Sequence, residues 1–503
     1  MPPFMQRNKM KSRIFQTTCL LVAAFFTTVA RGADRPNILW IIPDDMSAHF
    51  SCYGETTIQT PHVDALAKRG LQFNKAFVTA PVCSTCRSAF ITGMYQTSIG
   101  AHHHRSGRGE LKINLPDHIQ MIPQMFKSAG YHTSISGWPN NKRLGKTDYN
   151  FQWDRSIYDS ADWGDRKPGQ PFFAQLQTKG GKLRGASSEA AQKIAAAAAK
   201  KFGKATDVAD VTLPPYYPRD AVILEDWAAY LDSVRLTDHM VGEVIARLKK
   251  DGDYDNTVIL FMTDHGISHA RGKQFLYEEG IHVPLVIAGP GIDPGTRDDL
   301  VEHIDIAALS LGLAGIKIPD YMQAKDILAA DYQPREVVFA ARDRCDETVD
   351  HLRSVRSAKY KYIRNFLPNR PHMQPCAYKD AKAIVQSLRQ LHAQGKLNEF
   401  QARIFQPTRP PEELYDLESD PHESINLANV SDHKATLEKM RGQLDQWMES
   451  SGDIGINGES PEMLESDMAV YVSSLKSRKK DPAHIKTIED NIALMRKWAA
   501  EGK

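Results

Sequence analysis

Cys83 and Cys86 stand in the segment Pro81-Val-Cys83-Ser-Thr-Cys86-Arg87, with Thr92-Gly93 shortly after. By spacing alone, a C-x-x-C pair reads as a redox disulfide or as half of a zinc site. Both fit poorly. No second C-x-x-C completes a zinc site, and a thiol-disulfide protein would leave two acidic clusters unexplained, Asp44-Asp45 and Thr263-Asp264-His265-Gly266. Single aspartates in such places are mostly helix caps or solvated turns. Two clusters in one chain point instead to a shared site of hard oxygen ligands, with His265 beside them.

The clusters must be brought together by the elements that precede them. Pro36 to Pro43 and Thr257 to Met262 are unbroken apolar runs, and Val283 to Ala288 is a third; each reads as a fully buried strand of a parallel sheet. Helical patterns such as Val63 to Arg69 and Trp227 to Lys250 alternate with them, which predicts an α/β sandwich. In such sheets ligands bind outside the carboxyl ends of the strands, where both acidic clusters fall. Ala186 to Lys204 reads as an exposed helix in an insertion spanning about 185–218. Beyond about Gly315 the pattern changes to strands at Val337 to Ala340 and Lys359 to Arg364, then a helix from Ala435 to Glu449. This predicts a smaller C-terminal α+β subdomain, 316–503, with an antiparallel sheet, after a main domain at 33–315.

A chain of 503 residues can bury a large core. Its 63 basic and 61 acidic side chains nearly cancel, so no global field gathers nucleic acid or an anionic membrane. Arg7, Lys9, Lys11 and Arg13 precede an apolar stretch to Ala30 and the small-residue site around Gly32, which predicts a cleavable export signal over 1–32 and a secreted or periplasmic protein without a membrane span after cleavage. Cleavage would remove Cys19 and leave five cysteines, an odd number.

Arg87 four residues after Cys83, followed by Thr92-Gly93, resembles the signature of the formylglycine-dependent sulfatases of the alkaline-phosphatase-like superfamily. Asp44-Asp45 and Asp264-His265 resemble its two metal motifs, Gly145-Lys146 its glycine-lysine motif, the segment from Arg271 through Lys273 to Pro284 its second lysine segment, and Glu413 to Leu427 its C-terminal signature. The resemblance implies an alkaline-phosphatase-like sandwich and a sulfatase acting on a sulfated saccharide. Cys83, oxidised by a formylglycine-generating or sulfatase-maturing enzyme, would be the nucleophile, and Ca2+ would be held by Asp44, Asp45, Asp264, His265 and the modified residue 83. Arg87 would hold the hydrated aldehyde, and Lys146 and Lys273 the sulfate oxygens.

Several positions depart from that pattern. Thr85 and Cys86 stand where the maturation motif usually has Pro or Ala and Ser, and Cys86 could compete by forming a disulfide with Cys83. Asp148 and Lys179 stand where two histidines are expected, which leaves the general acid unassigned, with Lys179 as one source and the cluster His102-His103-His104-Arg105 as the other. A small insertion, Asn141 to Leu144, precedes Lys146. His102, His103, His104 and Arg184 are candidate carbohydrate contacts. The segment Leu352 to Arg356 looks closest to the sulfamidase branch, which cleaves N-sulfate, while O-sulfated algal polysaccharides suit the motifs equally. Two other readings are a phosphatase or phosphonate hydrolase of the same superfamily and an inactive sulfatase-like carbohydrate-binding protein.

Overall fold

A computed structural model describes residues 35–138 and 140–503; the expected export signal lies outside the described residues. Nine strands form the main sheet: β1 (Asn37–Pro43), β2 (Leu71–Phe77), β3 (His132–Gly137), β4 (Asn140–Leu144), β5 (Phe172–Thr178), β6 (Thr257–Met262), β7 (His282–Ala288), β8 (Gly295–Arg297) and β9 (Val301–Glu302). Their order is β4-β3-β5-β1-β6-β7-β2-β8, with β9 beside β2. At the centre, β3, β5, β1 and β6 run parallel. Every residue of β1, β5 and β6 is buried, as unbroken apolar runs covered on both faces require.

One expectation is corrected. β7 is buried but antiparallel to both β6 and β2. A buried apolar run records burial, not direction, so the composition of Val283 to Ala288 could not distinguish the two.

Helices cover both faces, giving the expected sandwich. Cys83–Thr92, Ile122–Ser128 and Asp305–Leu313 pack together, and Trp40 of β1 meets that side through Phe90 and a 2.9 Å bond from its indole N–H to Ser310. The long Ala221–Asp251 helix packs with Pro61–Arg69 and with Ser188–Phe202, the helix expected in the insertion. It starts where the Asp220 side chain accepts from the Val222 N–H and stops at Gly252, whose φ of 77° suits glycine.

A second, antiparallel sheet follows: β10 (Val337–Arg342), β11 (Leu352–Ser357), β12 (Tyr360–Asn365) and β13 (Glu412–Asp416), in that order. The Lys434–Ser450 helix covers it, with Trp447 stacked on Phe339 at 4.9 Å. The two sheets are tied near the Cys83 segment, where the Ala341 N–H donates to the Thr79 carbonyl at 2.9 Å. Helices Pro461–Ser477 and Pro482–Ala500 add a small core of their own around Ile488. No helix among the described residues is long and apolar enough to cross a membrane.

A buried ion network anchors the smaller sheet to the segment after Lys434–Ser450. Arg353, fully buried on β11, binds Asp343 at 3.0 Å and Asp453 at 2.6 Å, both also buried. Removing one member strands the others without compensation, so Arg353→Ala is expected to cost about 3–5 kcal/mol. A fall in the denaturant midpoint measures it; an unchanged midpoint would show that water reaches the network.

Candidate active site

The strands of the main sheet deliver their functional groups to one point because their carboxyl ends lie in register. Pro43 faces Thr178 of β5, and the Asp264 N–H donates to the Pro43 carbonyl at 3.2 Å. Asp44 and Asp45 therefore emerge beside Asp264 and His265, and the Asp45 N–H donates to the Asp264 carboxylate at 3.0 Å. Asp45 adopts φ 56°, a conformation costly for a residue with a side chain and kept where its surroundings hold it.

Cys83 opens the Cys83–Thr92 helix, and its sulfur enters this group from the other side. It lies 3.1 Å from His265 Nε2 and 3.1 Å from the Lys273 ammonium. One ligand atom each from Asp45, Cys83, Asp264 and His265 fall within 4.8 Å of one another, all from buried residues. His265 Nδ1 lies 2.9 Å from the Gly266 carbonyl. A proton on Nδ1 leaves Nε2 as a bare acceptor facing the carboxylates. Burial disfavours charge on His265, but Asp264, Cys83 and Asp45 outweigh it and raise its pKa.

Asp44 stands beside this group rather than within it. Its oxygens engage Arg87, Lys146 at 3.2 Å, and Lys182. Burial opposes its ionisation, yet Lys146, Lys182 and Arg87 hold its carboxyl well below the usual range. Arg87, expected to contact the nucleophile, also binds Asp264 at 3.1 Å, while its Nε and Nη1 are buried without a hydrogen-bond partner. Nη1 remains free for an oxygen on residue 83 or on a bound anion, while Nε faces the Asp148 carboxylate at 3.8 Å.

Lys146 reaches the site although an insertion precedes it, because Asn140–Leu144 folds back as β4 against β3. Gln177 of β5 then clamps the Lys146 backbone, accepting from its N–H at 2.5 Å and donating to its carbonyl at 2.8 Å. Asp148 is half-buried, 3.7 Å from Lys146 and 3.8 Å from Arg87. Burial raises its pKa, but Lys146 and Arg87 lower it further, so it stands as an anion where a histidine was expected.

Lys179 requires a correction. It follows β5 on the exposed side, and Lys182 enters the site in its place, 3.4 Å from Asp45 and 3.5 Å from the Cys83 sulfur. The turn is made by Gly180-Gly181. A Cβ on either would sit 2.2 Å from the backbone oxygen of Asp44 or Asp45, so only glycines let this strand end pack onto the acidic pair. That glycine pair was the readable signal for Lys182.

The carbohydrate contacts expected from sequence lie inside the protein. Arg184 is buried, donating to Asp226 at 3.0 Å and to the Gly181 carbonyl at 2.9 Å, so it braces the Lys182 turn. His102, His103 and His104 are buried too. His102 lies tilted against His103, whose Nδ1 accepts from the Arg344 N–H at 3.3 Å, and His104 Nδ1 lies 2.7 Å from the hydroxyl of Ser84. Cys86 is not bonded to Cys83; its sulfur meets the Asp264 carbonyl and lies 3.0 Å from His303. Tyr378, unforeseen from sequence, reaches in from the C-terminal region, donating to Asp45 at 3.1 Å and lying 2.9 Å from Ser268.

Comparison with known proteins decides the family. Residues 36–316 match the sulfatases, and residues 265–374 match the C-terminal region of N-sulphoglucosamine sulphohydrolase. The chain belongs to the sulfatase family. An ulvan-active sulfatase of Formosa agariphila is 33% identical over 84% of this chain and 76% of its own length. The N-sulphoglucosamine sulphohydrolase of Homo sapiens is 25% identical over 83% of this chain and 91% of its own. One solved structure, a complex of a protein with its substrate D-glucosamine-2-N,6-O-disulfate, shares the fold with a TM-score of 0.58 at 17% identity, covering 85% of this chain and 100% of that one. This sulfatase is thus a sulfuric ester hydrolase.

Burial raises the Cys83 thiol, but Lys146, Lys182 and Lys273 together bring it down to about 7. In unmodified, metal-free sulfatase, Cys83 is expected to react with methyl methanethiosulfonate with a midpoint near that pH, while Cys86, pushed well above its usual range by burial and Asp264, stays silent. Lys182→Gln removes a cation and must move the midpoint up. A midpoint unchanged by that substitution would mean Lys182 does not face the sulfur.

Proposed function

We propose that this sulfatase hydrolyses sulfate esters of a sulfated polysaccharide, using a formylglycine made from Cys83 and a bound Ca2+. The observation that carries the reading is the convergence of Lys146, Lys182, Lys273 and Arg87 with three carboxylates around one buried thiol. Cations converging on one point suit an anionic ester, because they attract it and stabilise the charge that develops on its oxygens.

The residues fit both groups. Asp45, Asp264 and His265 Nε2, once the ion displaces its proton, would hold the ion, with residue 83 beside them and Asp44, bonded to the same Arg87 as Asp264, completing the wall. A hydrated aldehyde at residue 83 would supply a strong oxygen nucleophile, and the ion would polarise it and the sulfate. Lys146 and Lys273 hold sulfate oxygens from two sides. Lys182 takes the position of the absent histidine and works by charge: burial opposes its protonation, but Asp45, Cys83 and Asp44 keep it protonated. Arg87 offers its unbonded Nη1 to the nucleophile. Tyr378 fixes the rotation of Asp45.

An O-sulfate ester of an algal-type polysaccharide is the favoured substrate, supported by the ulvan-active relative, with the N-sulfated sugar of the more distant human relative as the competing one. Export through the basic and apolar N-terminus would place the enzyme where such polymers are met, outside the cell or in the periplasm, and maturation would need an enzyme that accepts Thr85 and Cys86 in the motif.

The tryptic peptide Ala76 to Arg87 from natively produced enzyme should show Cys83 with CH2SH exchanged for CHO. Sulfate should be released from ulvan oligosaccharides, lost on chelation and restored by Ca2+. Lys182→Ala is expected to lower kcat about 100- to 1,000-fold, the range seen when one charge-stabilising donor is removed. A peptide with unchanged thiols together with no sulfate release would sink the proposal.

A further inference from the structure

A cavity of about 370 Å3 lies between the loop after the Cys83–Thr92 helix and the Pro461–Ser477 helix near the C-terminus. Its wall is fastened to the residue after the nucleophile. The Arg105 N–H donates to the Ser84 hydroxyl at 2.9 Å, and His104 holds the same hydroxyl. Asp467 of the C-terminal helix accepts from the Arg108 N–H at 3.0 Å, and Gly109 passes so close to Ser466 that a Cβ would meet its backbone oxygen at 2.2 Å. The loop and the helix are therefore one unit.

The cavity is unbalanced in charge. Arg344 at its base is buried and neutralised by Glu459 at 2.6 Å and Asp467 at 2.7 Å. Arg105 has a partner in Asp346 at 3.4 Å but stays half exposed. Arg108 and Arg478 have no carboxylate within ion-pairing distance among the described residues. Desolvation and the facing Arg105 disfavour the charge of the exposed Arg108, and Asp148, Asp346 and Asp467 offset them only in part, leaving its pKa lowered. Arg105 and Asp346 each hold a positive φ, 59° and 51°, so backbone strain is concentrated at this rim. Tyr471 and Met468 supply an aromatic and apolar floor beside these cations, the surface on which a sugar ring stacks.

The cavity also adjoins the chemistry. Arg105 is near enough for its charge to interact with that of Cys83. Arg108 lines both this cavity and the neighbouring cleft that contains Asp148, Tyr149 and Trp153.

We propose that this cavity is a saccharide subsite that binds a second acidic group, a carboxylate or a sulfate, on the sugar next to the one being desulfated. Arg108 and Arg478 receive the acid and Tyr471 receives the ring. The proposal rests on the sulfatase reading above and narrows its substrate to a polyanionic chain with acids on adjacent units.

The test uses full-length, matured enzyme and four probes. These are a sulfated disaccharide with a neighbouring uronate, its carboxyl-reduced alcohol, the analogue with a sulfate ester in place of the carboxylate, and an aryl sulfate. The wild type should show a KM about tenfold lower for the acidic disaccharides than for the alcohol, as a charge-assisted contact predicts. Arg108→Gln and Arg478→Gln should collapse that ratio toward one. The better of the two acidic probes identifies the natural group. A wild type without preference, or variants that keep it, overturns the subsite. If no probe, aryl sulfate included, loses sulfate, the sulfatase reading fails instead. Calorimetric titration with the unsulfated uronate disaccharide then decides the cavity alone, since equal affinity in wild type and Arg108→Gln overturns it.

Discussion

Three carboxylates confined in a dry interior repel one another, and the end of the main sheet is organised around offsetting that repulsion. An isolated buried ion costs several kcal/mol even after relaxation. Asp44 and Asp45 persist as anions because Arg87, Lys146, Lys182 and Lys273 stand within bonding distance, each on a different segment. The parallel register of β1, β5 and β6 is what allows this, since it brings three strand ends level and lets the loops beyond them interleave.

The same constraint explains why the smaller sheet cannot be a detachable appendage. The Ala341 N–H bonds to Thr79 just before the nucleophile segment, and Tyr378 comes from beyond β12 to bind Asp45. Gln274, one residue past Lys273, donates to the Cys345 sulfur at 2.9 Å from a backbone at φ 74°. The C-terminal region therefore sets the orientation of both a carboxylate and a lysine. A loss of its packing would reach the site through these contacts before it reached the main core.

Much of this was legible from residues. Unbroken apolar runs ending in acidic pairs marked β1 and β6, and their ends marked the site, because strand burial and strand-end chemistry are both local in sequence. Lys182 was not legible in the same way. Its placement depends on Gly180-Gly181 passing within contact of the Asp44-Asp45 backbone, a close approach between segments more than a hundred residues apart. The histidine run failed for the opposite reason. Three polar residues in a row suggest a surface loop, but His102 to His104 are absorbed as hydrogen-bonding struts behind Ser84 and Arg344, and tertiary context overrode composition. Tyr378 carries no local signal, since its four-residue helix sits in a segment with no motif.

The two departures from the expected histidines change how the site responds to protons. A pair of imidazoles would titrate near neutral pH and alter the charge of the pocket as they did so. Here one position carries Asp148, held ionised by Lys146 and Arg87 against the effect of burial. Near the other stands Lys182, kept protonated by Asp45, Cys83 and Asp44 against the same effect. Neither group changes charge between mildly acidic and mildly alkaline pH. The charge contributed by this pair is then nearly constant over that range, and the pH response of the pocket falls to other groups such as His265, whose pKa is raised by Asp264, Cys83 and Asp45.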